Sequence, residues 1–127
     1  MNDSLKELIE LLKINRKKSF WAKEQSVQNM AEELISEVKE FEEALTSGNK
    51  EHLKHELGDI LMDLLHILLI CEEQGYFTSK EAVQEIVERL KWRKPFLVDG
   101  SEIKNKEEEY KIWNARKAAE QRPEEQE

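Results

Sequence analysis

Apolar side chains recur at helical spacing through most of the chain. Leu5, Leu8, Ile9 and Leu12 share one face of a helix over about residues 4–15. Val27, Met30, Ala31, Leu34, Val38, Phe41 and Leu45 stripe a second helix behind Ser26, a good N-cap, with Gly48 at its end. A third runs from about residue 50 to 74 and is stopped by Gly75. Thr78-x-x-Glu81 reads as a capping box for a fourth, with Ala82, Val83, Ile86 and Leu90 facing inward. Pro95 limits its reach. Residues 96–105 read as a loop, and residues 106–121 as a charged helix carrying Tyr110 and Trp113. No stretch alternates as a strand would. The pattern predicts an all-α bundle of four to five helices, one domain over residues 1–121, and a frayed tail over 122–127.

The third helix carries a contradiction. Leu53, Leu57, Ile60, Leu61, Leu64, Leu65, Leu68 and Leu69 make it apolar nearly all round, so burial is expected. Through it runs a polar stripe, His52, Glu56, Asp59, Asp63 and His66, spaced four, three, four, three and therefore on one face. Buried carboxylates are costly unless they are paired or hold a metal. Upstream, Glu33, Glu37 and Glu40 lie beside the apolar stripe of the second helix. Two antiparallel helices joined around Ser47-Gly48-Asn49 would set Glu37-x-x-Glu40 opposite Glu56-x-x-Asp59. Four such carboxylates form an all-oxygen site suited to Mg²⁺, with Mn²⁺ as a substitute.

Spacing alone is weak, since the chain holds 28 acidic residues. The same interval recurs at Glu7/Glu10 and Glu40/Glu43, where a solvated helix face explains it. Glu56 and Asp59 differ because apolar residues flank them on both sides. Their plain alternative is an acid at the core rim, salt-bridged to a Lys or Arg.

The order of the parts adds to this. Glu37-x-x-Glu40, a spacer of 15 residues, then Glu56-Leu-Gly-Asp59 resembles the signature of the MazG-type nucleotide pyrophosphohydrolases, in the all-α NTP pyrophosphatase group. Ser19-Phe-Trp21-Ala-Lys-Glu-Gln25-Ser26 is similar to that family's Cys-Pro-Trp-Asp-x-x-Gln-Thr motif. Glu72-Glu-Gln-Gly75-Tyr-Phe77 resembles its Glu-Glu-x-Gly-x-Phe turn, and Arg89-Leu-Lys-Trp-Arg93-Lys-Pro95 its basic segment ending Arg-His-Pro. Trp113-x-x-x-Lys117-x-x-Glu120 resembles its last helix. The likeness spans roughly residues 8–120.

It implies a Mg²⁺-dependent enzyme that cuts a nucleoside triphosphate between the α and β phosphates, releasing monophosphate and pyrophosphate. Glu37, Glu40, Glu56 and Asp59 would hold the metal, which neutralises phosphate charge and acidifies water. Lys54, Arg89 and Arg93 would meet the triphosphate, with Trp113 and Lys117 among the substrate contacts and Trp113 near the base or ribose. The planar fork of Arg93 matches phosphate oxygens. Among the departures from the pattern, three bear on the chemistry. Ser36 stands where the family has the first Glu of Glu-Glu-x-x-Glu, a candidate general base, and Glu33, one turn before Glu37, is the stand-in. Ala22 replaces an Asp and Lys94 a His. Asp63 is an acid that the pattern does not require.

Net charge is −8, with a pI near 5.1, which argues against nucleic acid polymers. It does not exclude a small phosphorylated ligand, because a bound cation reverses the local sign. The lone Cys71 reads as a small core residue, His66 as a satisfied core histidine, His55 as a surface residue and Trp21 as a packing anchor. The longest apolar run, residues 67–71, is far short of the roughly 20 needed to span a membrane. Residues 5–14 are amphipathic, unlike a signal peptide. A soluble, cytoplasmic protein is expected. So is a homo-oligomer, a dimer or tetramer, because a bundle this small leaves apolar faces to cover and the resemblance implies one.

Two other classes fit parts of the pattern. A non-catalytic module would bind a nucleotide or a partner protein, its hydrolysis lost with the first Glu. A di-iron carboxylate bundle is suggested by Asp63-x-x-His66, but that architecture needs a Glu-x-x-His motif from each of two helices and only one degenerate copy is present.

Overall fold

The computed structural model describes residues 1–120; the expected frayed tail lies outside the described residues. Among these every regular element is a helix: α1 (Asn2–Lys18), α2 (Phe20–Glu24), α3 (Val27–Ser47), α4 (Lys50–Glu73), α5 (Ser79–Arg93), a 3₁₀ turn (Pro95–Leu97) and α6 (Lys106–Ala118). Contacts group them into two compact units, Met1–Ser79 and the chain from Lys80 onward.

In the first unit α3 and α4 form an antiparallel hairpin, and α1 packs against α2 and α4. Local chemistry sets the hairpin ends. Ser26 Oγ accepts from Asn29 N and starts α3. Gly48, at φ 70°, closes it in the left-handed region, and Asn49 caps α4 by accepting from Glu51 N and His52 N. At the far end Tyr76 N donates to Cys71 O and Gly75 N to Glu72 O, the paired bonds of a Schellman stop with Gly75 at φ 75°.

The five-residue helix α2 is absent from the sequence-based prediction. It is capped by Ser19 Oγ, which accepts from Ala22 N, and it turns Ala22 fully inward. Arg16 fastens it: Nη1 donates to Ala22 O and Gln25 O, while Nη2 reaches Glu73 at 2.9 Å. One guanidinium thus joins the end of α1, the α2 turn and the end of α4.

The expected burial of α4 is reversed in part. Its best-buried residues include Glu56, Asp63 and His66, each 5% exposed, together with Leu69, Ile70 and Cys71. Leu57, Leu61, Met62 and Leu64 remain 40–49% exposed. The reason is geometric: α4 is apolar nearly all round, and its polar stripe is among the parts turned inward, so leucines elsewhere on its circumference lack cover. No helix among the described residues is long and apolar enough to cross a membrane.

In the second unit α5 and α6 are tied through side chains. Trp92 Nε1 donates to Arg116 O at 3.0 Å, and the Arg116 guanidinium lies 4.1 Å from the Trp92 ring centre. Arg93 makes a two-pronged pair with Glu120, both contacts at 2.9 Å.

Candidate metal centre

The hairpin brings three of the four expected carboxylates together. Glu37 and Glu40 from α3 and Glu56 from α4 each offer an oxygen within 4.8 Å of the others. The four-plus-three spacing along α3 and α4 puts these groups on facing sides, and the Gly48–Asn49 turn fixes the register. Glu56 is buried and Glu37 half-buried, and each has one carboxylate oxygen, Oε2, enclosed without a hydrogen-bond partner. An ionised oxygen left this way is expensive. The Glu37 carboxyl responds by holding its proton, its pKa pushed up to about 8 by burial first and then by the charges of Glu40 and Asp59, with hydrogen bonds to Glu56 and Glu40 adding to the rise.

Asp59 is placed differently. It groups with Glu56 and His55, and His55 Nε2 sits 3.3 Å from its Oδ2. His52 Nε2 stands equally close, 3.3 Å, to Glu56 Oε1. Two three-ligand sets therefore share Glu56. The one drawn from both helices is all oxygen and has the orphaned atoms; the other is mixed, lies on α4 alone and depends on the exposed His55. A hard divalent cation favours the first. The enclosed Glu37 and Glu56 oxygens, on an all-acceptor donor set, fit that cation. His55 is a surface residue, as expected, and its position four residues before Asp59 on one helix brings the two side chains together.

Of the other residues singled out in the sequence, Glu33 is exposed on α3, and its charge is felt at Asp63 rather than at Glu37. Ser36 is exposed on the same helix. Lys54 is exposed and paired with Glu51 at 2.7 Å. In the second unit Arg89 Nη2 lies 3.3 Å from Glu85, with its Nε enclosed and unpartnered. The fork of Arg93 is engaged by Glu120 and stacks 5.0 Å from the Trp113 ring centre, with Lys94 at 5.7 Å. Lys117 is exposed. A groove of about 350 Å³ in this unit is lined by Leu90, Lys94, Glu109, Tyr110 and Trp113.

Beyond the carboxylate group, the stripe continues down α4 as predicted. Asp63 and His66 are buried, but neither is satisfied: Asp63 Oδ2 and His66 Nε2 have no partner. Burial, then Glu33 and Asp59, push the Asp63 pKa up to about 6. Burial, then the Arg16 charge, hold His66 below its ordinary value, against a smaller opposite pull from Glu73. Cys71 is a free, buried thiol, as expected.

An all-α fold whose central hairpin carries a carboxylate centre defines the class. The chain belongs to the MazG nucleotide pyrophosphohydrolase domain family, whose model matches residues 25–98. The crystal structure of a mazG-related protein from Thermotoga maritima shares the fold, with a TM-score of 0.83 at 31% identity over 89% of this chain and 98% of that one. A nucleoside triphosphate pyrophosphohydrolase from Mycolicibacterium smegmatis is 31% identical over 80% of this chain and 32% of its own length. The uncharacterized protein YabN from Bacillus subtilis is 30% identical over 79% of this chain and 20% of its own. The chain thus spans about a third or less of the length of these two relatives.

Proposed function

We propose that the protein is a cytoplasmic Mg²⁺-dependent nucleoside triphosphate pyrophosphohydrolase, one domain over residues 1–121, that releases monophosphate and pyrophosphate. The observation that carries this reading is the convergence of Glu37, Glu40 and Glu56, with two enclosed carboxylate oxygens lacking any partner. Family membership and the names of the relatives support the reaction class.

Glu37, Glu40 and Glu56 would hold the cation, with Asp59 completing the set on release from His55. Mg²⁺ bound there would neutralise phosphate charge and acidify the attacking water. Mn²⁺ would substitute, being matched by the same oxygen donors. The chain's own part is to orient and to move protons. Glu33 is the proposed general base in place of the acid missing at Ser36, and Glu37 shares in catalysis as one of the carboxylates that would hold the cation. Lys54, Arg89 and Arg93 are the proposed triphosphate contacts, Arg93 exchanging Glu120 for phosphate oxygens. Trp113 and Lys117 are the proposed further substrate contacts.

The protein would act as a homodimer or a tetramer built from dimers. The half-exposed Leu57, Leu61, Met62 and Leu64 support this, since an apolar face on a helix of this kind is ordinarily covered.

A nucleotide panel with Mg²⁺, read for pyrophosphate against orthophosphate, tests the reaction. Pyrophosphate and monophosphate are expected. Orthophosphate and diphosphate as main products would remove the protein from this class of reaction. Binding without any hydrolysis would leave it a nucleotide-binding module.

A further inference from the structure

The end of α1 and the α2 turn form a basic lip on an otherwise acidic chain. Residues 13–23 hold Lys13, Arg16, Lys17, Lys18 and Lys23 and no acid. The other 15 cations face all 28 acids, so the rest of the chain carries −13. Arg16 is matched by Glu73 at 2.9 Å, and Lys13 and Lys17 share a groove with Glu72 and Glu73. Lys18 and Lys23 are exposed and, among the described residues, have no acid beside them in an ion pair.

The same lip exposes apolar surface. Phe20 stands where the family motif has Pro and is 80% exposed, with Lys23 Nζ 5.0 Å from its ring centre. Leu11, Ile14 and Lys18, spaced three and four, lie together on the outward face of α1, both apolar members half exposed. Trp21, expected as a packing anchor, is 55% exposed, but its ring centre lies 6.3 Å from that of His66, which leaves Phe20 the outermost aromatic. The mount is rigid. Ser19 caps α2, Arg16 donates to Ala22 O and Gln25 O, and Ala22 is fully buried. A pre-formed surface loses little freedom on binding.

Charge and apolarity together narrow the occupant. A second copy meeting this end across a two-fold axis would set five cations against five, so the lip is ill suited to an isologous interface. A soluble polyanion would use the lysines but gain nothing from Leu11, Ile14 and Phe20. An anionic bilayer uses both, phosphate headgroups meeting the ammonium groups and the acyl boundary taking the apolar side chains. The acidic remainder of the chain then orients this end toward the membrane and the rest away from it.

We propose that the lip formed by Leu11, Ile14, Lys18, Phe20 and Lys23 docks the protein reversibly on an anionic phospholipid surface, Phe20 entering the acyl boundary between the flanking lysines. The contact is peripheral, since no helix among the described residues is long and apolar enough to cross a membrane. It is independent of the carboxylate centre and of the reaction proposed for it.

The test is co-sedimentation of the full protein with phosphatidylcholine vesicles containing about one-third phosphatidylserine. The parent should sediment with these vesicles and not with pure phosphatidylcholine. Binding should fall at least tenfold when salt rises from about 0.1 M to about 1 M, as the screening length shrinks from about 10 Å to about 3 Å. Lys18→Gln combined with Lys23→Gln should weaken partitioning about 25-fold, roughly fivefold per lysine. Phe20→Ala should weaken it at least about fivefold by removing the inserted ring. All three side chains are exposed, so these variants keep the parent's melting temperature. A parent that stays in solution with the anionic vesicles would overturn the proposal. So would a Phe20→Ala variant that sediments like the parent while poly-glutamate binds the lip as tightly as vesicles do, which would make the partner an acidic polypeptide. A changed oligomeric state of Phe20→Ala in size exclusion would overturn it in favour of a contact between copies.

Discussion

Glu37 on α3 and Glu56 on α4 meet across the hairpin, each with its Oε2 enclosed and unpartnered. Their juxtaposition makes the metal-free fold carry unfavourable electrostatics that a cation would relieve, which has consequences for pH, stability and assembly.

The first concerns stability without metal. Glu37 has an ordinary carboxyl value of 4.5 and is raised to about 8 in the fold. Between those values the folded state binds more protons than the unfolded state, so stability falls as pH rises through that window. Asp63, raised to about 6, adds to the fall at the acid end. Melting temperatures of chelated protein should therefore decline from pH 5 to pH 8. Glu37→Gln, which cannot ionise, should flatten the decline and melt higher at pH 8. A parent curve that rises across this window would contradict the electrostatic account.

Metal binding should also release a proton. Near pH 7 the Glu37 carboxyl is largely protonated, and a ligand must give up its proton to a cation. Calorimetric heats of Mg²⁺ binding should therefore differ between buffers of unequal ionisation enthalpy, by up to about one proton's worth. Affinity should tighten as pH rises toward 9. Identical heats in two such buffers would mean that Glu37 is not displaced by the metal.

How much of this was legible in the sequence follows from particular residues. The long helices were readable because their caps and apolar spacing agree, as at Ser26, Asn49 and Gly75. The five-residue α2 was not, since it is shorter than two turns and depends on Arg16 reaching Ala22 and Gln25 from another helix. Spacing placed Glu37, Glu40 and Glu56 on facing sides. It could not assign Asp59 to His55, a choice of side-chain rotamer. Nor could it say which face of α4 turns inward, because leucines line most of the circumference. His66 was expected to be a satisfied core residue; periodicity reports burial but not the partner of Nε2.

The uncovered part of α4 bears on assembly. Leu61 and Leu64, 42% and 44% exposed, belong to the apolar surface that a second copy would cover. Leu61→Glu would bury a charge there and should convert an oligomer to monomer in light scattering after size exclusion. A parent that is already monomeric would refute the proposed assembly.

The proposal of Glu33 as general base in place of an acid at Ser36 is tested by rates. General-base assistance is worth about 10²–10⁴-fold. If Glu33 supplies it, Glu33→Gln should lower kcat at least tenfold, while Ser36→Glu changes little. A large gain in Ser36→Glu with a silent Glu33→Gln would show instead that the role is vacant. Steady-state rates at saturating Mg²⁺ separate the two.

The central claim is that the inter-helix carboxylates form one divalent-cation site, and its most direct test is calorimetric titration of Mg²⁺ into the parent and Glu56→Gln. Glu56 is the member common to both ligand groups and the most enclosed of the expected ligands. Its loss should therefore weaken binding at least tenfold while the helical content of the protein is retained. Equal Mg²⁺ affinity in the two proteins would mean that the cation binds elsewhere.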